Sequence, residues 1–301
     1  MTIAIFGNAM KPQTLVEVRH IMQFMTDNGI HVLLSRELRQ ELRQEMDLRD
    51  YPGFPENWEG DRQPENVYGE PIEFALSIGG DGTFLTSAAS IGDKNIPILG
   101  VNCGHLGFLA EVQTQDVDAI LRQLIAGEYS IERRHLLSLN ILDKDGNKRD
   151  DLVMAPNALN EIAILKLGLT NMLNIETKVN GELLHTYHSD GLIIATPTGS
   201  TAYNLSIGGP LVVPQSRGII LTPIAPHSLT VRPIVMPDDW KFDIRVSSRY
   251  DSYMVSVDGR SQSLSTDMTL HIERAPYTVK VVQIGDNSFL KSLQTKLNWG
   301  I

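Results

Sequence analysis

Gly79-Gly80-Asp81-Gly82-Thr83 places one carboxylate inside a turn made of three glycines. The apolar run Phe74-Ala75-Leu76-Ser77-Ile78 leads into it, and a helix-like segment, Phe84 to Ile91, follows. A strand, a glycine turn and a helix start together suit a phosphate-handling loop. Glycine reaches backbone conformations that a side chain forbids and lets a ligand approach the main chain closely. Thr83 is placed to cap the helix, whose free N–H groups and dipole favour an anion there. Asp81 is the odd residue. A carboxylate beside phosphates is repulsive unless it binds a cation or takes a proton, so chemistry of one of those kinds is expected of it. Asp-Gly is also a hairpin signal, but here a helix pattern follows instead of a second alternating strand, and two more glycines precede the aspartate.

Two further stretches carry polar chemistry. Asn160-Glu161 follows Met154-Ala155-Pro156-Asn157 and precedes Ile162-Ala163-Ile164. An adjacent amide and carboxylate suit sugar hydroxyls, since both accept and the amide also donates. A polar strand entrance is the plainer reading of the pair taken alone. Asp190 to Ala195 reads as a buried strand, Thr196-Pro197-Thr198-Gly199-Ser200-Thr201 as a hydroxyl-rich turn, and Ala202-Tyr203-Asn204-Leu205-Ser206 as a short helix. Free N–H groups, hydroxyls and an aromatic ring in one place suit the base and sugar of a nucleotide. A capped helix without a ligand fits the same residues equally well.

Other residues are weaker candidates. His185 and His188 are three apart on an expected strand, so they face opposite sides and make a poor metal pair. His105 sits in a glycine loop, where a structural role is the plainer reading. Cys103, the single cysteine, reads as a small buried residue rather than a nucleophile and excludes an intramolecular disulfide and a multi-cysteine zinc site. There is no Gly-Lys dipeptide and hence no Walker A loop, no protein-kinase signature, no Gly-x-Ser-x-Gly elbow and no Gly-x-Gly-x-x-Gly after the first strand.

The elements that must position these residues fall into two patterns. Over residues 1–127, strands at Ile3 to Phe6, Ile30 to Leu34, Glu73 to Ile78 and Ile96 to Val101 alternate with helical patterns at Thr14 to Asn28 and Asp116 to Ala126. That rhythm predicts a Rossmann-like α/β domain with a parallel sheet, whose ligands bind beyond the carboxyl ends of the strands. Arg36 to Glu70 is a charged helix pattern followed by a loop rich in Pro, Gly and Asn, expected to be mobile in part or to lie over the site. Over residues 128–287 the hairpin signals Asp145-Gly146, Asn180-Gly181 and Asp258-Gly259 separate strand-like runs, which predicts an all-β sandwich. A helical pattern over residues 288–301 is expected to pack back on the first domain.

At 301 residues, 42% hydrophobic and 21% charged, the chain can build the core of one large domain or of two ordinary ones. The net charge of −10 argues against general nucleic-acid binding. No apolar stretch reaches membrane-spanning length, and the start lacks a basic leader, so a cytoplasmic protein without a membrane partner is expected.

In order along the chain, Gly79–Thr83, Asn160-Glu161 and Asp190–Ser206 make the sequence resemble the bacterial NAD kinases. The Gly-Gly-Asp-Gly loop alone is shared with diacylglycerol, sphingosine and phosphofructokinase-type kinases; the Asn-Glu pair and the Thr-Ala-Tyr segment are more specific. The resemblance spans about Thr2 to Trp299 and is thinnest over Arg36 to Glu70 and after Val231. It implies NAD bound between the two domains, homodimers or homotetramers, and transfer of the ATP γ-phosphoryl group to the adenosine 2′-hydroxyl of NAD. Mg²⁺, or Mn²⁺, would ride on the ATP phosphates, with no metal site of protein ligands. By the same resemblance Asp81 is the proton acceptor and Gly82 its neighbour in the NAD site. Gly79, Gly80, Gly82 and Thr83 hold ATP phosphate. Asn160, Glu161, Asp190, Thr201, Ala202, Tyr203, Asn204, Leu205 and Ser206 contact NAD. Asn171, His188 and Arg260 fall where family members touch the dinucleotide, and Phe108 is placed to pack against its base. A lipid or other small-molecule kinase sharing the loop is the alternative, and a non-catalytic NAD-binding regulator is a second.

Overall fold

The computed structural model describes residues 1–55, 68–104, 107–149, 154–168, 171–285 and 288–299. The chain divides into two compact units, Met1–Arg133 with Val279–Ile301, and Arg134–Thr278. The divisions fall inside strands, where the sequence suggested 127/128 and 287/288. No helix among the described residues is long and apolar enough to cross a membrane.

The first unit runs β1 (Thr2–Gly7), α1 (Pro12–Asp27), β2 (His31–Leu34), α2 (Arg36–Leu42), β3 (Ile72–Gly79), α3 (Asp81–Ile91), β4 (Ile98–Asn102), β5 (Val112–Gln113) and α4 (Val117–Ala126). Its strands are parallel in the order β2-β1-β3-β4. Helix α1 buries Leu15, Val18, Ile21, Met22 and Met25, a stripe at helical spacing, in one core with Ile3, Ile5, Leu76 and Val101 of the sheet. The chain moves from β1 to one side for β2 and returns to the other side for β3. The carboxyl ends of β1 and β3 therefore flank the point where strand order reverses, the usual ligand crevice of an open parallel sheet.

The second unit takes over within β6 (Ser130–Leu142). It continues through β7 (Asn157–Ala158), β8 (Glu161–Leu165), β9 (Leu173–Val179), β10 (Glu182–Ser189), β11 (Gly191–Ala195), a 3₁₀ turn at Thr198–Thr201, α5 (Tyr203–Ser206), β12 (Ile219–Ile224), β13 (Ile234–Met236), β14 (Phe242–Ser247), β15 (Ser252–Val257) and β16 (Arg260–Ser265). The long strand β17 (Thr269–Gln283) returns the chain to the first unit, where Val281 pairs with Ile98, and α6 (Phe289–Leu297) closes that unit. In the second unit one sheet runs β10-β9-β14-β17 and the other β13-β12-β11-β8-β15-β16. Ile175, Phe242 and Ile244 of the first share a core with Ile164, Ile194, Tyr253 and Val255 of the second, which makes the unit a β-sandwich. The hairpins at Asn180-Gly181 and Asp258-Gly259 turn with both residues at positive φ, 50° and 84° in the first and 48° and 81° in the second.

Candidate active site

Asp81 is the first residue of α3, and the extended Gly80 is its N-cap, with no side-chain cap. Thr83 therefore lies within the first turn and does not cap the helix, contrary to the sequence expectation; the extended backbone ends one residue before Asp81, too early for Thr83 to serve. The Asp81 side chain turns to a loop downstream. Its Oδ2 accepts the Phe108 N–H at 2.7 Å, and its Oδ1 accepts those of Leu109 and Ala110 at 2.9 and 3.1 Å. Gly107 heads this loop because a Cβ there would overlap the Asp81 carboxylate. An ionised carboxylate offers about four acceptor positions. Three are taken, two of them on Oδ1, so the acceptor position left open belongs to Oδ2.

A groove of about 420 Å³ opens beside this carboxylate's helix, lined by Asn8, Ala9 and Met10 after β1, by Glu37, Gln40 and Glu41 of α2, and by Gly82, Thr83 and Thr86 of α3. It lies at the reversal point of the sheet. Glu37, Gln40 and Glu41 belong to the Arg36–Glu70 stretch; its residues 56–67, and His105, lie outside the described residues. Phe108, half-buried, has its ring 4.7 Å from the Lys296 ammonium and 6.4 Å from the Phe289 ring, both on α6.

The second unit builds a matching grip. The Asp258 Oδ2 accepts the Leu159 N–H at 2.7 Å, and its Oδ1 accepts those of Asn160 and Glu161 at 2.8 and 3.1 Å. The same segment is held from its other side. Thr196 donates its N–H to the Asn160 carbonyl at 2.8 Å and its hydroxyl to the Leu159 carbonyl at 2.5 Å. Gly199 packs so closely on Asn160 that a Cβ would overlap its carbonyl. Asn160 and Glu161 are consequently buried and fixed on both sides.

Burial, followed by the charge of Asp258, pushes the Glu161 carboxyl up to about 7, against an opposing hydrogen bond from the Tyr203 N–H. Burial also raises Asp258, more than its three N–H bonds and Arg260 lower it. Glu161 Oε2, Asn157 Oδ1 and Arg260 Nε are buried with no hydrogen-bond partner, around the same Asp258. Arg260 itself donates to the Asn157 carbonyl at 3.1 Å and stands 3.9 Å from Asp258 Oδ2. Buried polar atoms without partners are costly, so three around one carboxylate single this place out as a candidate binding site.

The structure thus brings Asn160, Glu161, Tyr203 and Arg260 together. Asp190 instead pairs with Lys166 at 2.6 Å, and His188 with Asn174. The Asn204 side chain is fully buried and bonded to Thr222, Ser200 and Pro210, and Thr201 bonds back to Thr198. Ala202 and Leu205 are half-buried and Ser206 exposed. Asn171 is half-buried, with its amide nitrogen lacking a partner. Sequence reasoning missed Asp258 and Lys296, and it placed the loop that contains Gly107 at a carboxyl end of the sheet without giving Gly107 a role. Asp258-Gly259 was legible only as a turn, and the neighbouring glycines of residues 104–107 were the one hint of a tight loop.

The family models for the ATP-NAD kinase N-terminal and C-terminal domains match residues 3–129 and 159–284. The chain belongs to the NAD kinase family. Its relatives include the NAD kinases of Bacteroides fragilis, 41% identical over 300 residues and covering 100% of this chain and 98% of that one, and of Flavobacterium johnsoniae, 38% identical with 100% and 98% covered. NAD kinases are phosphotransferases, and so is this chain. Among solved structures, yeast NADH kinase complexed with NADH superposes with a TM-score of 0.83 at 24% identity, covering 100% of this chain and 88% of the other. An NAD kinase from Archaeoglobus fulgidus in complex with ATP gives 0.73 at 23% identity, covering 99% of each. Those two show a shared fold.

Proposed function

We propose that the protein phosphorylates the adenosine 2′-hydroxyl of NAD with ATP, and that Asp81 is the general base. The carrying observation is the Asp81 carboxylate, fixed by three N–H bonds with an acceptor position of Oδ2 left open. As the 2′-oxygen bonds to the γ-phosphorus, the bond from that phosphorus to the β–γ bridging oxygen breaks. ADP leaves, and the hydroxyl proton passes to Oδ2. A positioned base contributes about 100 to 10,000-fold, and the rest of phosphoryl transfer rests on positioning and charge neutralisation.

The triphosphate would lie along Gly79–Thr83, with the groove at the end of β1 and β3 receiving the donor. A magnesium or manganese ion would ride on those phosphates. Mg²⁺ takes oxygen ligands and keeps several waters, so the ATP phosphates would supply most of its ligands, with Glu37 and Glu41 among the groove's oxygen donors near them; among the described residues no cluster of three or more His, Cys, Asp or Glu could hold it alone. Its contribution when bound is to neutralise triphosphate charge. In the second unit Glu161 Oε2, Asn157 Oδ1 and Arg260 Nε would take the hydroxyl and polar groups of the dinucleotide, with Asn160, Asn171, His188, Asp190 and residues 201–206 completing the contacts, and Phe108 near the base. The chain would work in the cytoplasm as a homodimer or homotetramer.

The test is incubation with NAD, ATP and Mg²⁺ followed by an assay specific for NADP, with diacylglycerol and sphingosine as rival acceptors. NADP formation supports the reading. Phosphorylation of a lipid without NADP, or tight NAD binding without turnover, overturns it.

A further inference from the structure

Lys296 lies in the last turn of α6, with its side chain only 5% exposed and its Nζ making no hydrogen bond. Its neighbours are the Phe108 ring, 4.7 Å from Nζ to the centroid, and the Glu111 Oε1, 3.9 Å away and out of hydrogen-bond range. A cation in the last turn of a helix interacts well with the helix dipole, but an exposed lysine does this equally. Taking an ammonium out of water is expensive, and a ring face with a distant carboxylate returns only part of the cost. A methionine of similar length would fill the place without that cost. Stability therefore does not account for the charge.

Its position does. Phe108 is the residue whose N–H donates to Asp81 Oδ2, and α6 covers its ring twice, with Lys296 and with Phe289. The Ser292 hydroxyl of α6 also donates to Glu111 at 3.4 Å, on the segment that follows the three gripping N–H groups. We propose that Lys296 is a positioning residue for phosphoryl transfer: its ammonium, held over Phe108 and beside Glu111, keeps the 108–111 segment closed on the Asp81 carboxylate. Burial pushes the ammonium toward losing its proton, while the charges of Glu111 and Asp81 oppose this. The C-terminal helix is by this account a part of the active site, although no catalytic motif lies on it.

The inference rests on Asp81 as the base, and a double-mutant cycle separates the two. Lys296→Met is expected to lower kcat at least tenfold, leave the NAD dissociation constant within twofold, and leave the thermal midpoint unchanged or higher. Lys296→Arg, which keeps the charge, is expected to recover part of the kcat. Asp81→Asn with Lys296→Met is expected to be no slower than Asp81→Asn alone. A parent-like kcat in Lys296→Met, a loss accompanied by a lower thermal midpoint, or additive losses in the double variant would each overturn the role of Lys296. An active Asp81→Asn enzyme overturns the base assignment instead.

Discussion

Asp81 and Asp258 grip the backbone in the same way: each carboxylate accepts three consecutive N–H groups, one on Oδ2 and two on Oδ1. One closes the loop after Gly107 on the helix start of the first unit. The other fixes Asn160 and Glu161 in the second. In each case an acidic side chain in a glycine turn orders a distant segment, so both turns are points where sequence far apart is tied together.

Asp81→Asn replaces an oxygen by an N–H₂ group. One of the three gripping N–H groups then faces a donor, and the proton acceptor is lost. NADP formation is expected to fall by at least about 100-fold. NAD binding, followed by calorimetry, is expected to change little. Retained turnover would remove Asp81 from the chemistry.

Gly107→Ala puts a methyl group into the Asp81 carboxylate. The loop must shift, and overpacking of this kind costs roughly 1–3 kcal/mol. Steady-state kinetics should show a loss of kcat approaching that of Asp81→Asn, although Gly107 offers no side chain to a substrate. An alanine enzyme with parent kcat would show that the grip on Asp81 is dispensable.

Glu161 holds its proton up to about 7 in the folded protein, against 4.5 when free. Between those values the folded chain binds more protons than the unfolded one, so stability falls as pH rises through that window and is level above it. Glu161→Gln keeps the shape without the charge. Its urea midpoint is expected to exceed the parent's at pH 8 and to match it near pH 4.5. Its KM for NAD is expected to rise about tenfold, the equivalent of roughly 1.4 kcal/mol for a hydrogen bond to a charged group. A urea midpoint that does not respond to the substitution at pH 8 would contradict the burial of that charge.

Asp258→Asn removes the negative charge that is the second cause of the Glu161 shift. The pH at which KM for NAD changes is expected to move below 7, where Glu161 titrates in the parent. One of three N–H bonds to a buried group is spoiled as well, at about 1–3 kcal/mol. A pH–KM profile superimposable on the parent's would separate Glu161 from NAD binding.

Much of this was local enough to read along the chain. The apolar run into Gly79-Gly80-Asp81-Gly82 states a strand ending in a turn, and the helix pattern after it states which kind of turn. The two hairpin pairs at positive φ were equally plain, because glycine there relieves a steric conflict wherever the chain is going. The order of the three polar stretches was enough for the family resemblance. Asp258 was legible only as a turn residue, since Asp-Gly forms the same turn whatever its carboxylate reaches. That it reaches Leu159, Asn160 and Glu161 depends on β15 pairing with β8, a contact between residues far apart in sequence. Helical spacing likewise places Lys296 on α6 without saying what covers it.

The sequence by itself determined the two patterns of secondary structure, the glycine turn with its carboxylate, and the resemblance that named a reaction. The tertiary structure alone decided how those carboxylates are held. It gave Asp81 three N–H partners from residues 108–110, buried Glu161 beside a second acid, and brought a C-terminal lysine over Phe108. The physical reason is range. Turn chemistry and hydrophobic period act over a few residues, whereas burial, hydrogen-bond partners and electric fields are set by whichever distant segments the fold brings together.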